Sequence, residues 1–418
     1  MDVVVVGGGV AGAATATRLV NAGHEVAVLE RETAFVDRVR GEFMPPWGVQ
    51  EVFDLGLGDV LWSVPGVNVI TEVVPYDETL PVEAAEANRV SYADMLPGIP
   101  GAVGVSHPGL SEAVLSNCAK AGATVHRGVT NVTVTAGSAP SVAFDVGGRR
   151  QELACRLVIG ADGRQSTVRR QVGLELQSTT PRVFLGGMLV DGTGEWPRTM
   201  FARGVEDDVD FLVVPQAGGL ARLYLAWDVT QPRRFTGPDR QRNFLDAFRR
   251  RCLPLGEVIA AASPAGPLAA VPMTDTWIDE PCPDGVVLVG DAAGWSDPTI
   301  GQGLSVAFRD ARILSDVLLN DDTWTSEALN EYVEERTERM RRLRFSMSVF
   351  SLGVSGLDGR VFGPEARAYR IAIRRLARKE PLYGGSRVAI FKGAWRVPDE
   401  AFSDETFAAL ASATQERQ

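Results

Sequence analysis

Lysine is nearly missing from this sequence. Lys120, Lys379 and Lys392 are the whole complement among 418 residues, and arginine carries the rest of the positive charge. Histidine is as sparse: His24, His107 and His126 form no HxH or HExxH pattern, so the spacing of a histidine metal site is absent. The four cysteines, Cys118, Cys155, Cys252 and Cys282, show no CxxC spacing. That disfavours a zinc ribbon or a disulfide framework and suits reduced thiols in a cytoplasmic protein. No apolar run reaches the roughly 20 residues needed to span a bilayer. The apolar opening is one short strand that ends at Gly7, unlike a signal peptide. A formal net charge of −11 argues against nucleic acid or anionic lipid as a partner. These absences leave the expectation of a cytoplasmic protein with a small-molecule partner, either monomer or dimer.

Glycine, by contrast, gathers where β-branched runs end. Val3 to Val6 is such a run and suits a strand buried on both faces of a parallel sheet. Residues 7–12 turn the chain, "AGAATATRLVNAG" reads as a small-residue helix, and "HEVAVLE" is the next strand, giving a βαβ unit. Residues 106–122 read as a helix with Leu110, Val114 and Leu115 on one stripe. The segments "ATVHRGVTNVTVTAG", "SVAFDVGG" and "RRQELACRLVIGADG" alternate with period two and predict a β-meander feeding a buried strand. Between 181 and 270, "RVFLGGMLV", "DVDFLVVPQ" and "ARLYLAWDV" read as antiparallel strands of a substrate-facing layer. A long helix over 326–350 carries "EERTERMRRLR", expected to be a solvated charged face.

Three loops carry the chemistry. Gly7-x-Gly9-x-x-Gly12 follows the first strand and opens a helix, and Glu30 ends the second strand. Gly7 allows the tight turn, Gly9 lets the backbone approach a pyrophosphate, and Gly12 lets helix and strand pack closely. The helix start at Val10 and Ala11 offers free N–H groups to that anion. Glu30 suits the two hydroxyls of a ribose. The second loop, "VIGADGRQSTVRR", puts Asp162 at the end of a buried strand, where ligands meet α/β sheets. The third, "LVGDAAGWSDPTIGQGLSVAFRDA", repeats that device with Gly290 and Asp291, then Pro298, Gly301, Gly303 and Leu304 before a helix. Asp291 suits a polyol chain. The helix start would favour an anionic ring such as reduced flavin by about 1–2 kcal/mol.

These three motifs, in this order over residues 1–320, resemble the FAD-dependent monooxygenases of the para-hydroxybenzoate hydroxylase fold. The resemblance implies an α/β architecture: a Rossmann-like FAD-binding domain, an inserted mixed or antiparallel-sheet substrate domain, and a C-terminal helical segment. The corresponding boundaries are 1–75 plus 100–180 plus 271–320, 76–99 plus 181–270, and 321–418. It also implies that Arg31 and Arg40, with Arg38 beside them, contact the adenosine ribose and pyrophosphate. His107 stands where the family commonly has arginine, and Val132 matches a position whose backbone meets the adenine.

The implied activity is hydroxylation or epoxidation of an aromatic, polyketide-like or other electron-rich molecule through a flavin C4a-hydroperoxide, in secondary metabolism. NAD(P)H would bind transiently as reductant, or a partner flavin reductase would supply FADH2. Gly294 replaces the histidine of many aromatic hydroxylases, a feature shared with halogenases and prenyl reductases of the fold. The halogenase lysine and WxWxIP segment are absent, so a reductase or dehydrogenase acting on a prenyl or polyketide-like substrate is the main alternative. Trp47, Phe211, Tyr224, Trp227 and Trp295 are the candidates for an apolar substrate pocket. No residue pair stands out as a catalytic relay.

Overall fold

The computed structural model describes residues 1–39, 41–379 and 382–412. Val3–Val6 lies at the middle of a five-stranded parallel sheet ordered Val286–Leu288, Leu157–Gly160, Val3–Val6, Val26–Glu30, Thr124–Arg127. Successive side chains of a strand point to opposite faces. Val3 and Val5 therefore pack against the helices Val10–Asn21, His107–Ala121 and Gly303–Asn320, while Val4 and Val6 meet Val142 and Phe144 of an antiparallel three-stranded sheet. Both faces are covered, which explains an unbroken valine run. Because the neighbouring strands Val286–Leu288, Leu157–Gly160 and Val3–Val6 are parallel, the loops after residues 6, 160 and 289 all open at one edge of the sheet, although they lie far apart in sequence.

A larger sheet of eight strands stands beside this one. Its order runs from Ser263–Pro264 through Val183–Asp191, Ala221–Asp228, Val209–Pro215, Met200–Glu206 and Glu72–Asp77 to Val90–Ser91, with Ala269–Pro272 also paired to Val183–Asp191. The neighbours are antiparallel except Met200–Glu206 with Glu72–Asp77, which run parallel. One face, with Val74, Met188, Phe211, Leu223, Leu225 and Trp227, packs against the short helices Arg240–Asp246 and Gly256–Ala261. The opposite face carries Leu185, Phe201, Leu212 and Val214.

Helices Asn330–Ser355, Pro364–Lys379 and Leu382–Lys392 follow. Among the described residues no helix is long and apolar enough to cross a membrane. The expectation of a solvated face for "EERTERMRRLR" is corrected here. Arg336 and Arg339 are 2% exposed and meet the fully buried Asp310, whereas Glu338 and Arg341 of the same run are solvated. Arginines three apart share one helix face, and that face lies on the helix Gly303–Asn320.

Candidate functional site

The first glycine loop leaves its strand with Gly7 at φ +110°; a side chain there would come within 2.3 Å of the Ala161 carbonyl oxygen. Gly12 fixes helix to strand, since an added Cβ would sit 2.1 Å from the Gly7 carbonyl oxygen. Gly9 instead faces open space and caps the helix Val10–Asn21 with no side-chain acceptor, so the first N–H groups remain available to an anion. Glu30, 7% exposed, accepts from Gly8 N at 2.7 Å and Glu32 N at 2.8 Å. Those two bonds hold its carboxylate beside the loop.

Asp162 is turned toward the short helix Thr167–Gln171 that follows, whose N-cap is Ser166: it accepts from Ser166 Oγ at 2.5 Å and Thr167 N at 2.6 Å. Asp291 accepts from Arg164 Nε at 3.2 Å, and the Arg164 guanidinium lies 5.4 Å from the Trp295 ring. Gly303 opens the helix Gly303–Asn320, again with no side-chain cap and open space on its Cα. Behind this turn sits a buried ion cluster that the sequence reading missed. Asp310 accepts from Gly290 N at 2.7 Å, from Arg336 Nε at 3.0 Å and from Arg339 at 2.6 Å. Arg336 also donates to the carbonyls of Gly290 at 3.2 Å and Gly294 at 3.0 Å, so one guanidinium spans the loop that carries Asp291. The two arginines hold the Asp310 carboxyl below the usual carboxylate range despite full burial. A signal for it existed: Asp310 interrupts the apolar stripe Ala307, Ala311, Leu314, and a buried acid needs a buried cation.

All three loops open into one cavity of about 780 Å³, within the range of roughly 300–1,000 Å³ usual for ligand sites. Gly7, Gly9, Val10, Ala11, Glu30, Arg31, His107, Val132 and Asp162 line it, as do Gly290, Asp291, Pro298, Gly301, Gly303 and Leu304. Gly12 does not, in keeping with a packing role, and Arg40 lies outside the described residues. Arg31 is largely exposed and reaches Glu32 at 3.1 Å, which Arg38 also contacts at 2.5 Å.

The remaining wall is the inner face of the large sheet, with Leu185, Phe201, Leu212 and Val214. Tyr224 and Trp295 line this space, but Trp47, Phe211 and Trp227 do not. Trp227 is three residues from Tyr224 on one strand, so the period-two alternation sends it to the far face, where it meets Phe235 and Phe184. Phe211 follows the same parity and packs on Phe248. Trp47 is fully buried and donates its indole N–H to Gln302 Oε1 at 2.9 Å and the Ile390 carbonyl at 3.1 Å, supporting the loop from behind. Its neighbour Gly48 lies against Ser305.

The Tyr224 hydroxyl donates to buried Glu42, a pair that spacing in the sequence does not single out, and both line the cavity. Arg222, 2% exposed, contacts Glu42 at 3.3 Å and Asp37 at 2.7 Å, linking the pair to the partly exposed Asp37. Burial and the adjacent Glu42 charge push the Tyr224 phenol well above its ordinary value, so it stays protonated.

A family described as FAD binding domain matches residues 1–345. Squalene epoxidase 2, mitochondrial, of Arabidopsis thaliana is 26% identical over 350 residues, covering 80% of this chain and 56% of that protein. This chain therefore spans little more than half the length of that relative, and 66% of squalene epoxidase erg1 of Aspergillus fumigatus. The 3-amino-4-hydroxybenzoate 2-monooxygenase PtmB3 of Streptomyces platensis is 26% identical over 354 residues, covering 82% of this chain and 85% of that one. Among solved structures, p-nitrophenol 4-monooxygenase PnpA of Pseudomonas putida DLL-E4 shares the fold with a TM-score of 0.76 at 20% identity, covering 96% of this chain and 98% of that one.

Proposed function

Since this chain belongs to the FAD binding domain family, we propose that it is a flavin-dependent monooxygenase acting on an electron-rich small molecule. The observation that carries the reading is the shared cavity. One set of walls is made by two glycine loops with free helix N-termini, and the other is the apolar face of the large sheet. Open space at Gly9 and Gly303 fits a flat dinucleotide lying close to bare backbone. The oxygenating activities named for relatives that match 80% and 82% of this chain support the same reaction class.

The chemistry FAD supplies when bound is two-electron reduction by NAD(P)H, or arrival already reduced from a partner reductase, followed by O2 activation. The chain's own part is positioning and screening. Glu30 would accept from ribose hydroxyls, the helix start at Val10 would receive the pyrophosphate, and Asp291, now paired with Arg164, would receive the polyol chain. The uncapped start of the helix Gly303–Asn320 would stabilise negative charge on a ring system bound there. Leu185, Phe201, Leu212 and Val214 exclude water from the substrate space. Tyr224 donates to Glu42, and its oxygen can take a proton-bearing substrate group as partner.

The test is the visible spectrum of the purified chain, then anaerobic bleaching by NADPH with and without an added flavin reductase. Oxygen consumption coupled to incorporation of isotopic label from O2 into product supports a monooxygenase. Flavin turnover that saturates or desaturates a substrate without label supports the reductase or dehydrogenase of the same fold instead.

A further inference from the structure

The sheet wall of the cavity is apolar apart from Tyr224 and one charged residue. Arg203 shares the inward parity of Phe201 on the strand Met200–Glu206 and lines the cavity. Its guanidinium lies 4.9 Å from the Phe350 ring and 3.4 Å from one oxygen of buried Asp210, whose other oxygen has no hydrogen-bond partner. A second guanidinium, that of Arg387, lies 5.4 Å from the same Phe350 ring. Arg387 sits three and four residues before Ile390 and Phe391, which line the cavity, so one face of the helix Leu382–Lys392 carries all three.

The local charge does not balance. Asp77 and Glu78, the other acids of this region, are taken by Arg370, with Arg374 on Asp77 and Arg367 on Glu78. Arg387 has no hydrogen bond or ion pair with any of the described residues. Burial and the like charge of Arg203 act against its protonated form. Burial lifts the Asp210 carboxyl above its ordinary value even with Arg203 beside it, which weakens it as a counter-ion. Arg203, partly buried, has one oxygen of Asp210 as its counter-ion, and Arg387 has no ion pair among the described residues, so an arriving anion would complete the site.

We propose that Arg203, backed by Arg387, receives a carboxylate of the substrate, so that the oxygenated molecule is a small electron-rich acid rather than an uncharged hydrocarbon or polyketide. This rests on the oxygenase reading of the cavity for its chemistry, but its binding test does not. Guanidinium pairs carboxylate through two parallel N–H···O bonds, which fixes orientation as well as affinity. The carboxylate would be anchored on the sheet and C-terminal wall, leaving the ring of the acid to the Leu212 and Val214 surface.

The test compares salicylate, anthranilate and cinnamate with their primary amides as probes, read by melting temperature and by perturbation of the flavin spectrum in the holoenzyme. Wild type should bind at least one acid about 10- to 100-fold more tightly than its amide, as expected for one charge-assisted contact. Arg203→Met should erase that ratio with FAD content unchanged, and Arg203→Lys should keep part of it. Should the methionine variant fail to fold, a reduced ratio in Arg387→Met replaces it. Amides that bind as well as acids, a panel in which no acid binds, or an unchanged ratio in the variants would overturn the proposal. A chain that retains no flavin but still prefers acids by melting temperature would sink the oxygenase reading alone.

Discussion

Replacing Arg336 by methionine keeps most of the side-chain volume and removes three hydrogen bonds. They run to Asp310 at 3.0 Å and to the carbonyls of Gly290 and Gly294 at 3.2 Å and 3.0 Å. Asp310 would retain Arg339 and the Gly290 N–H, so its charge is not orphaned, but both carbonyls lose their cation. Breaking one arm of such a buried cluster costs about 3–5 kcal/mol, a large share of the roughly 5–15 kcal/mol of a typical fold. Because the lost contacts all hold the loop bearing Asp291, FAD affinity should fall with stability. Arg341→Met is the control from the same charged run, since Arg341 meets a solvated Glu338 and should cost under about 1 kcal/mol. Chemical denaturation of both variants, with FAD titration of each, reads the difference. Equal stability of the two variants, or full FAD affinity in Arg336→Met, would refute the reasoning.

Tyr224→Phe should leave FAD content unchanged and weaken substrate turnover by about 10-fold or more, since it removes the donor to Glu42 at the cavity wall. Trp227→Ala should do the opposite, costing about 3–5 kcal/mol of stability while kcat/KM per folded molecule stays near wild type, as its ring lies on the far face. Burial lifts the Asp275 carboxyl from its usual 3.8 to about 7. A raised carboxyl contributes stability below its unfolded pKa and loses it as pH climbs through the folded one. Asp275→Asn should therefore gain on wild type between pH 4 and 7, by an amount on the order of a few kcal/mol, and hold that gain above 7. A melting-temperature difference independent of pH would contradict this.

The shape of the three glycine loops was legible because their demands are local. A valine run, a turn that only glycine tolerates at Gly7, and an acid ending the next strand are each readable in a few residues, and parallel pairing then brings the loops to one edge. The aromatic candidates divided for want of a face, with Tyr224 and Trp295 at the cavity and Trp47, Phe211 and Trp227 away from it: Tyr224 and Trp227 look alike in sequence, and only strand parity against the second sheet separates them. Arg336 failed for a different reason. Burial of a charge depends on a partner, and Asp310 lies 26 residues away on another helix. Glu42 and Arg222 are likewise joined only by folding across the sheet, so neither could be paired from spacing.

The central claim is that one flavin is held jointly by the Gly7 and Asp291 loops. Equilibrium FAD binding to wild type, Gly7→Ala and Asp291→Ala, followed by visible absorbance and protein-normalised stoichiometry, tests it most directly. The account predicts one FAD per wild-type chain, with weakened binding in each variant. A colourless wild type that takes up no FAD, or variants that bind as tightly as wild type, would contradict it.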